Sequence, residues 1–179
     1  MSAIGSDESW YVLQVNPRAE KFVHDVLTGK GYEALLPLYV PNTRDRRGRA
    51  PTARPLFPGY VFCRMSAQVF GPLVTTPRVV GLVGFGGIPC PVDEREIASL
   101  RKVHSADAQV EPWEYLKAGD QVELRQGPLA GVRGTLVRFK GKHKLVLSVS
   151  LLQRSMAVEI DASWAMADLD AVSASAAGG

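Results

Sequence analysis

Five arginines, Arg44, Arg46, Arg47, Arg49 and Arg54, fall within eleven residues of this chain, opposed only by Asp45. Charge this concentrated has no local counterweight and points to an anionic partner. Nucleic acid ranks before membrane, because no amphipathic helix surrounds the cluster. A solvated loop that only keeps the protein soluble is the alternative that charge alone leaves open. The side chains able to do acid–base or covalent chemistry are less suggestive. His24, His104 and His143 fall in a helix, a linker and a basic turn, without spacing that converges on a metal. Cys63 and Cys90 form neither a CxxC pair nor a disulfide framework. No Ser, Cys or Lys sits in a nucleophile motif. The glycine-rich run at 81–87 (GLVGFGG) lacks the Lys-Ser/Thr that completes a phosphate loop. The expectation is a protein that is not an enzyme and uses no metal or cofactor.

The background is globular: 46% hydrophobic and 22% charged residues over 179 positions. The net charge of +3 belongs to the first half, since residues 1–105 carry 13 basic and 9 acidic side chains and residues 106–179 carry 8 and 9. The uncharged stretch at 79–92 is too short and too broken by Gly and Pro to span a membrane. The small, acidic start lacks the basic and apolar regions of a signal peptide. With two unpaired cysteines, the expected location is the reducing cytoplasm.

The elements that must position these residues can be read in order. Residues 10–15 (WYVLQV) form a nearly continuous apolar run, as in a strand buried on both faces. Asn16 and Pro17 read as an N-cap and first helical position. Ala19, Phe22, Val23, Val26 and Leu27 then follow at helical spacing, closed by Gly29 and Gly31. Residues 32–40 are extended, and the arginine-rich 41–55 reads as a long loop or hairpin tip. Residues 56–65 (LFPGYVFCRM) form a third strand. Its alternation puts Val61, Cys63 and Met65 on one face and Tyr60, Phe62 and Arg64 on the other. A fourth strand at 78–83 runs into the Gly84 to Gly87 turn. A helix then starts at Asp93, with Glu96 completing a capping box and Val92 and Ile97 a hydrophobic staple, and ends near Lys102.

Strand–helix–strand–strand–strand–helix implies an α+β domain, an antiparallel sheet with helices on one face. The polar, acidic 104–115, broken by Pro112, reads as a linker. Beyond it, period-two alternation at Val122 and Leu124, residues 132–140, Leu145 to Val149 and Met156 to Ile160 describes a small all-β barrel. The expected organisation is a flexible 1–8, a first domain at 9–103, the linker, a second domain at 116–166 and a flexible tail at 167–179.

Two motifs sharpen this picture. Residues 127–131 (GPLAG), then Val132, Arg133, Gly134 and the alternating 136–140, resemble the KOW motif of small SH3-like barrels. Gly127, Pro128 and Gly131 suit a tight turn, and Gly134 a close backbone approach. Upstream, Trp10-Tyr11, residues 55–62 (PLFPGYVF), Pro77-Arg78-Val79 and residues 83–86 (VGFG) resemble the N-terminal domain of the NusG family. The two matches lie in the right order from about residue 9 to 165. Residues 145–159 (LVLSVSLLQRSMAVE) are similar to the specialised NusG paralogues of long polysaccharide-type operons. Housekeeping members usually carry a Phe-Gly-Arg-type turn there.

The resemblance implies a monomeric factor that binds elongating RNA polymerase and suppresses pausing and termination, as an operon-specific antiterminator. The alternatives are a general NusG working with Rho, and a KOW-type RNA- or ribosome-binding module. Family roles map Phe57, Tyr60 and Phe62 onto the patch for the polymerase clamp helices, and the Phe70 and Leu73 stretch onto the opposite gate loop. Arg18, Lys21 and Arg78, with Arg44, Arg46, Arg47 and Arg49 of the basic loop, map near non-template or upstream DNA. Leu129, Ala130 and Val132 fall at the edge of the KOW domain that receives a small-subunit ribosomal protein or Rho.

Overall fold

The structure, a computed structural model, describes residues 7–43, 46–68, 70–116 and 119–165. Arg44, most of the expected flexible N-terminus and the expected tail therefore lie outside the described residues. The chain divides into two units. One comprises residues 1–37 and 57–97, the other residues 38–56 and 98–179.

In the first unit, strand β1 (Glu8–Val15) leads to helix α1 (Glu20–Gly29) and strand β2 (Glu33–Leu35). In the second, short β3 (Leu38–Tyr39) and β4 (Arg54–Pro55) pair with each other and bracket the arginine-rich stretch as a hairpin excursion. The first unit resumes with β5 (Tyr60–Ser66), the short helix α2 (Gly71–Val74), β6 (Val79–Leu82), and the hairpin β7 (Gly84–Phe85) and β8 (Ile88–Pro89). Its main sheet is antiparallel in the order β2-β5-β1-β6, and α1 packs against β2 and β5. As the apolar run implies, β1 is buried on both faces: Trp10 and Val12 on one, Tyr11 and Leu13 on the other.

The start of α1 differs from the expected one. Pro17 and Arg18 form a turn in which the Ala19 N–H donates to the Asn16 carbonyl at 3.0 Å, and the helix begins at Glu20. Arg18 has φ of 66°, which no helix tolerates. At the next helix, α3 (Glu94–Ser105), Asp93 caps as expected, accepting from the Arg95 N–H at 2.7 Å. Val92 and Ile97 are both buried. The helix runs to Ser105, one turn past the expected end.

The second unit carries a five-stranded antiparallel sheet ordered β10-β11-β12-β13-β9. These are β9 (Val110–Trp113), β10 (Gln121–Glu123), β11 (Arg133–Phe139), β12 (Lys142–Val149) and β13 (Arg154–Ile160). Four of them follow the expected alternation, and the α+β plus all-β fold class stands. Strand β9 is a correction: it lies inside the stretch read as a linker. Pro112 argues against a strand in sequence, but β9 is an edge strand, where a missing N–H costs no ladder bond. Gly134 meets its expectation. A Cβ there would lie 2.6 Å from the Val146 carbonyl oxygen, closer than any side chain allows.

Candidate functional site

The exit of β1 and the entry of β6 meet in one backbone crossing. The Asn16 N–H donates to the Arg78 carbonyl at 2.9 Å, and the Val79 N–H to the Thr76 carbonyl at 3.1 Å. Both flanking arginines sit in the left-handed region, Arg18 at φ 66° and Arg78 at φ 71°, a conformation costing each roughly 1–2 kcal/mol. The segment before Arg78 is fixed from below. Thr76, buried, donates to the Pro72 carbonyl at 3.1 Å and accepts from Lys30 Nζ at 3.0 Å. The Arg78 guanidinium lies 4.6 Å from the centre of the exposed Phe22 ring. Glu20, buried, accepts from the Gly59 N–H at 2.8 Å and so ties the start of α1 to the turn before β5. Arg18, Lys21 and Arg78 are all exposed. The result is a rigid corner offering two arginine cations and an aromatic face.

The other expected positions fall differently. Phe57 and Phe62 are 1% and 0% exposed, packed edge-to-face with ring centres 5.7 Å apart. The expectation that they face a partner is corrected: this face of the sheet is covered like the other, and both rings belong to the core. Tyr60 is half-buried. Leu73 is 0% exposed and is likewise core, while Phe70 is half-buried with its ring edge-on to Tyr11 at 5.2 Å. In the second unit Leu129 and Val132 are buried and only Ala130 is half-exposed. An apolar residue in a tight turn is drawn inward here: the Gly131 N–H donates to the Leu124 carbonyl at 2.6 Å and closes the loop over its own core. Arg46, Arg47, Arg49 and Arg54 are exposed.

Apolar surface lies elsewhere. Phe85 and Ile88, paired across the β7–β8 hairpin, are each 70% exposed. Gly86 and Gly87 take φ of 58° and 78°, a two-residue turn that sets both side chains on one face. The sequence carries this signal in two apolar residues flanking a Gly-Gly pair, which reads only as a turn. Phe22 shares the helical spacing of the core positions, yet it sits beside the buried stripe of Ala19, Val23 and Leu27 rather than on it.

Cys63 is buried, and burial, with Glu33 nearby adding to it, pushes its thiol up to about 12. It stays protonated and holds no nucleophilic role. Among the described residues no three His, Cys, Asp or Glu side chains gather as a metal site. Among the same residues no helix is long and apolar enough to cross a membrane.

Residues 8–101 match the profile of the family described as "Transcription termination factor nusG". Among curated relatives, the chain is 28% identical over 166 residues to "Transcription termination/antitermination protein NusG" of Vibrio parahaemolyticus, covering 85% of this chain and 91% of that one. It is 29% identical over 171 residues to the protein of the same name from Neisseria meningitidis, covering 87% and 96%. Among solved structures, "Domain interaction in Thermotoga maritima NusG" matches with a TM-score of 0.51 at 22% identity, over 88% of this chain and 95% of that chain, a likeness of fold.

Proposed function

Because the chain belongs to the NusG family, we propose that it binds elongating RNA polymerase and suppresses pausing and termination at a small set of long operons. The observation that carries this reading is the corner of Arg18, Phe22 and Arg78 within the family-matched segment. A single DNA strand at the edge of the transcription bubble offers that corner a phosphate backbone for the cations and base faces for the ring. Lys21, exposed on the same helix turn, adds to the field. Docking on the clamp helices falls to the exposed Phe85 and Ile88 with the half-buried Tyr60, and contact with the gate loop to the surface beside Phe70. In the second unit the Ala130 side of the loop receives a small-subunit ribosomal protein or Rho. Bridging the two sides of the polymerase cleft acts by binding the closed, unpaused state more tightly than the open one. The restriction to few operons is supported by residues 150–153 (SLLQ). There a 3₁₀ turn ending at Gln153 (φ 49°) stands where housekeeping members usually carry a Phe-Gly-Arg-type turn.

Mapping nascent transcripts with the gene intact, deleted, and carrying R18A/R78A tests this. The expected result is longer transcripts at a few operons, lost on deletion and in the double variant. A genome-wide change in termination overturns operon specificity. Unchanged transcription alongside a ribosome-assembly defect overturns the polymerase reading altogether.

A further inference from the structure

We propose that the tip of the β11–β12 hairpin, with Trp113 of β9 beside it, is a binding site for single-stranded nucleic acid. The site lies in the second unit and does not depend on how the first unit engages polymerase. Phe139 ends β11 and Lys142 opens β12 as a register pair, joined by Lys140 at φ 50° and Gly141 at φ 77°. This is the two-residue hairpin turn in which Asn or Gly sits without strain. Here the strained first position holds a cation at the tip of the hairpin.

The aromatic part is built rather than incidental. Phe139, 43% exposed, meets Trp113 edge-on, with ring centres 5.3 Å apart and planes at 90°. The Lys144 ammonium lies 5.0 Å from the Trp113 ring centre and 5.6 Å from that of Phe139. It is ion-paired with Glu111, and its side chain is only 12% exposed. Lys144 thus acts as an internal prop that holds the two rings at their angle. Lys140 Nζ lies 5.2 Å from the Phe139 ring centre.

Charge supplies the other half. Arg138, Lys140, Lys142 and Lys144 bring four cations to this hairpin. Glu159 accepts from Lys142 through both oxygens at 2.9 Å, and Glu111 answers Lys144. Among the described residues Arg138 and Lys140 have no acidic partner, leaving a surplus of two positive charges around an open ring. An acidic protein surface would satisfy the charge but leave the ring without a partner. Duplex nucleic acid would satisfy the charge but present no base face. A single strand satisfies both, with phosphates on Arg138 and Lys140 and a base stacked on Phe139.

The test is fluorescence anisotropy of the full chain with labelled oligouridylate, oligodeoxythymidylate and poly-glutamate over a series of salt concentrations. Binding of an oligonucleotide, weakened by salt, is expected, and the ratio between the RNA and DNA probes tells which strand is the natural one. F139A should weaken oligonucleotide binding by about tenfold without changing the salt slope, and F139W should restore it. R138A/K140A should weaken binding and flatten the slope. A 4-thiouridine probe should crosslink to Phe139 or Trp113, as read by mass spectrometry. The proposal fails if F139A, shown folded by circular dichroism, binds as the wild type does. It fails equally if crosslinks fall only elsewhere, if neither oligonucleotide binds, or if poly-glutamate binds as tightly as the oligonucleotides.

Discussion

Cys63 carries a thiol that its surroundings keep neutral, and that has two measurable consequences. The side chain has no exposed surface, and Glu33 reinforces the effect of burial. A proton held more tightly in the folded than in the unfolded chain stabilises the fold below the unfolded value near 9.0. That contribution is lost as pH rises from there towards about 12. The midpoint of urea unfolding should therefore fall as pH rises above 9, and Cys63→Ala, although less stable at neutral pH for want of the sulfur, should show a shallower fall. Alkylation at neutral pH should modify the half-buried Cys90 first and reach Cys63 only in denaturant. Equal labelling rates for both cysteines in the native protein would contradict this placement.

At the scale of the element, β5 shows how a strand that alternates in sequence becomes core on both sides. Val61 and Cys63 face Leu13 and Tyr11 across the ladder, while Phe62 faces Val12 and packs on Phe57. Phe62→Ala should cost about 3–5 kcal/mol of stability, the range for a deleted core aromatic. Tyr60→Ala, at the half-buried end of the strand, should cost less. Urea unfolding followed by polymerase-binding measurements on the same samples separates the two roles. Loss of binding by Phe62→Ala beyond its unfolded fraction would return that residue to the docking surface. Alternation in β5 was legible in the sequence, and so was the two-sided burial of β1. That the neighbour of a doubly buried strand is itself doubly buried follows from their shared faces, and reading each strand alone missed it.

At the scale of the whole molecule, the chain is asymmetric in charge, and the exposed arginines between β3 and β4 are the densest part of its basic half. Replacing Arg46, Arg47 and Arg49 with Ala removes three cations and no core packing, so the melting temperature should stay nearly unchanged. Affinity for a complete elongation complex should drop. Its dependence on salt should flatten, by a log–log slope of roughly 0.7–0.9 for each phosphate no longer neutralised. Polymerase without nucleic acid should bind the triple variant almost as it binds the wild type. Equal weakening with and without nucleic acid would assign the loop to polymerase, and no weakening in either would leave it a solvated excursion.

By itself the sequence determined the class of the fold, the order of its strands along the chain, the Asp93 cap and the need for Gly134. Each of these rests on local chemistry: periodicity, a side chain reaching its own backbone, or a Cβ that has no room. It also determined the family, because the glycine and proline spacing of two motifs is local too. Tertiary structure alone decided which apolar side chains remain outside. Phe57, Phe62, Leu73, Leu129 and Val132 are buried while Phe85, Ile88 and Phe139 are exposed. The physical reason is that burial depends on what covers a face, and the covering elements come from distant parts of the chain. The meetings of Arg78 with Phe22, and of Trp113 with Phe139 and Lys144, have the same origin. They join residues far apart along the chain, through sheet pairing that no local pattern encodes.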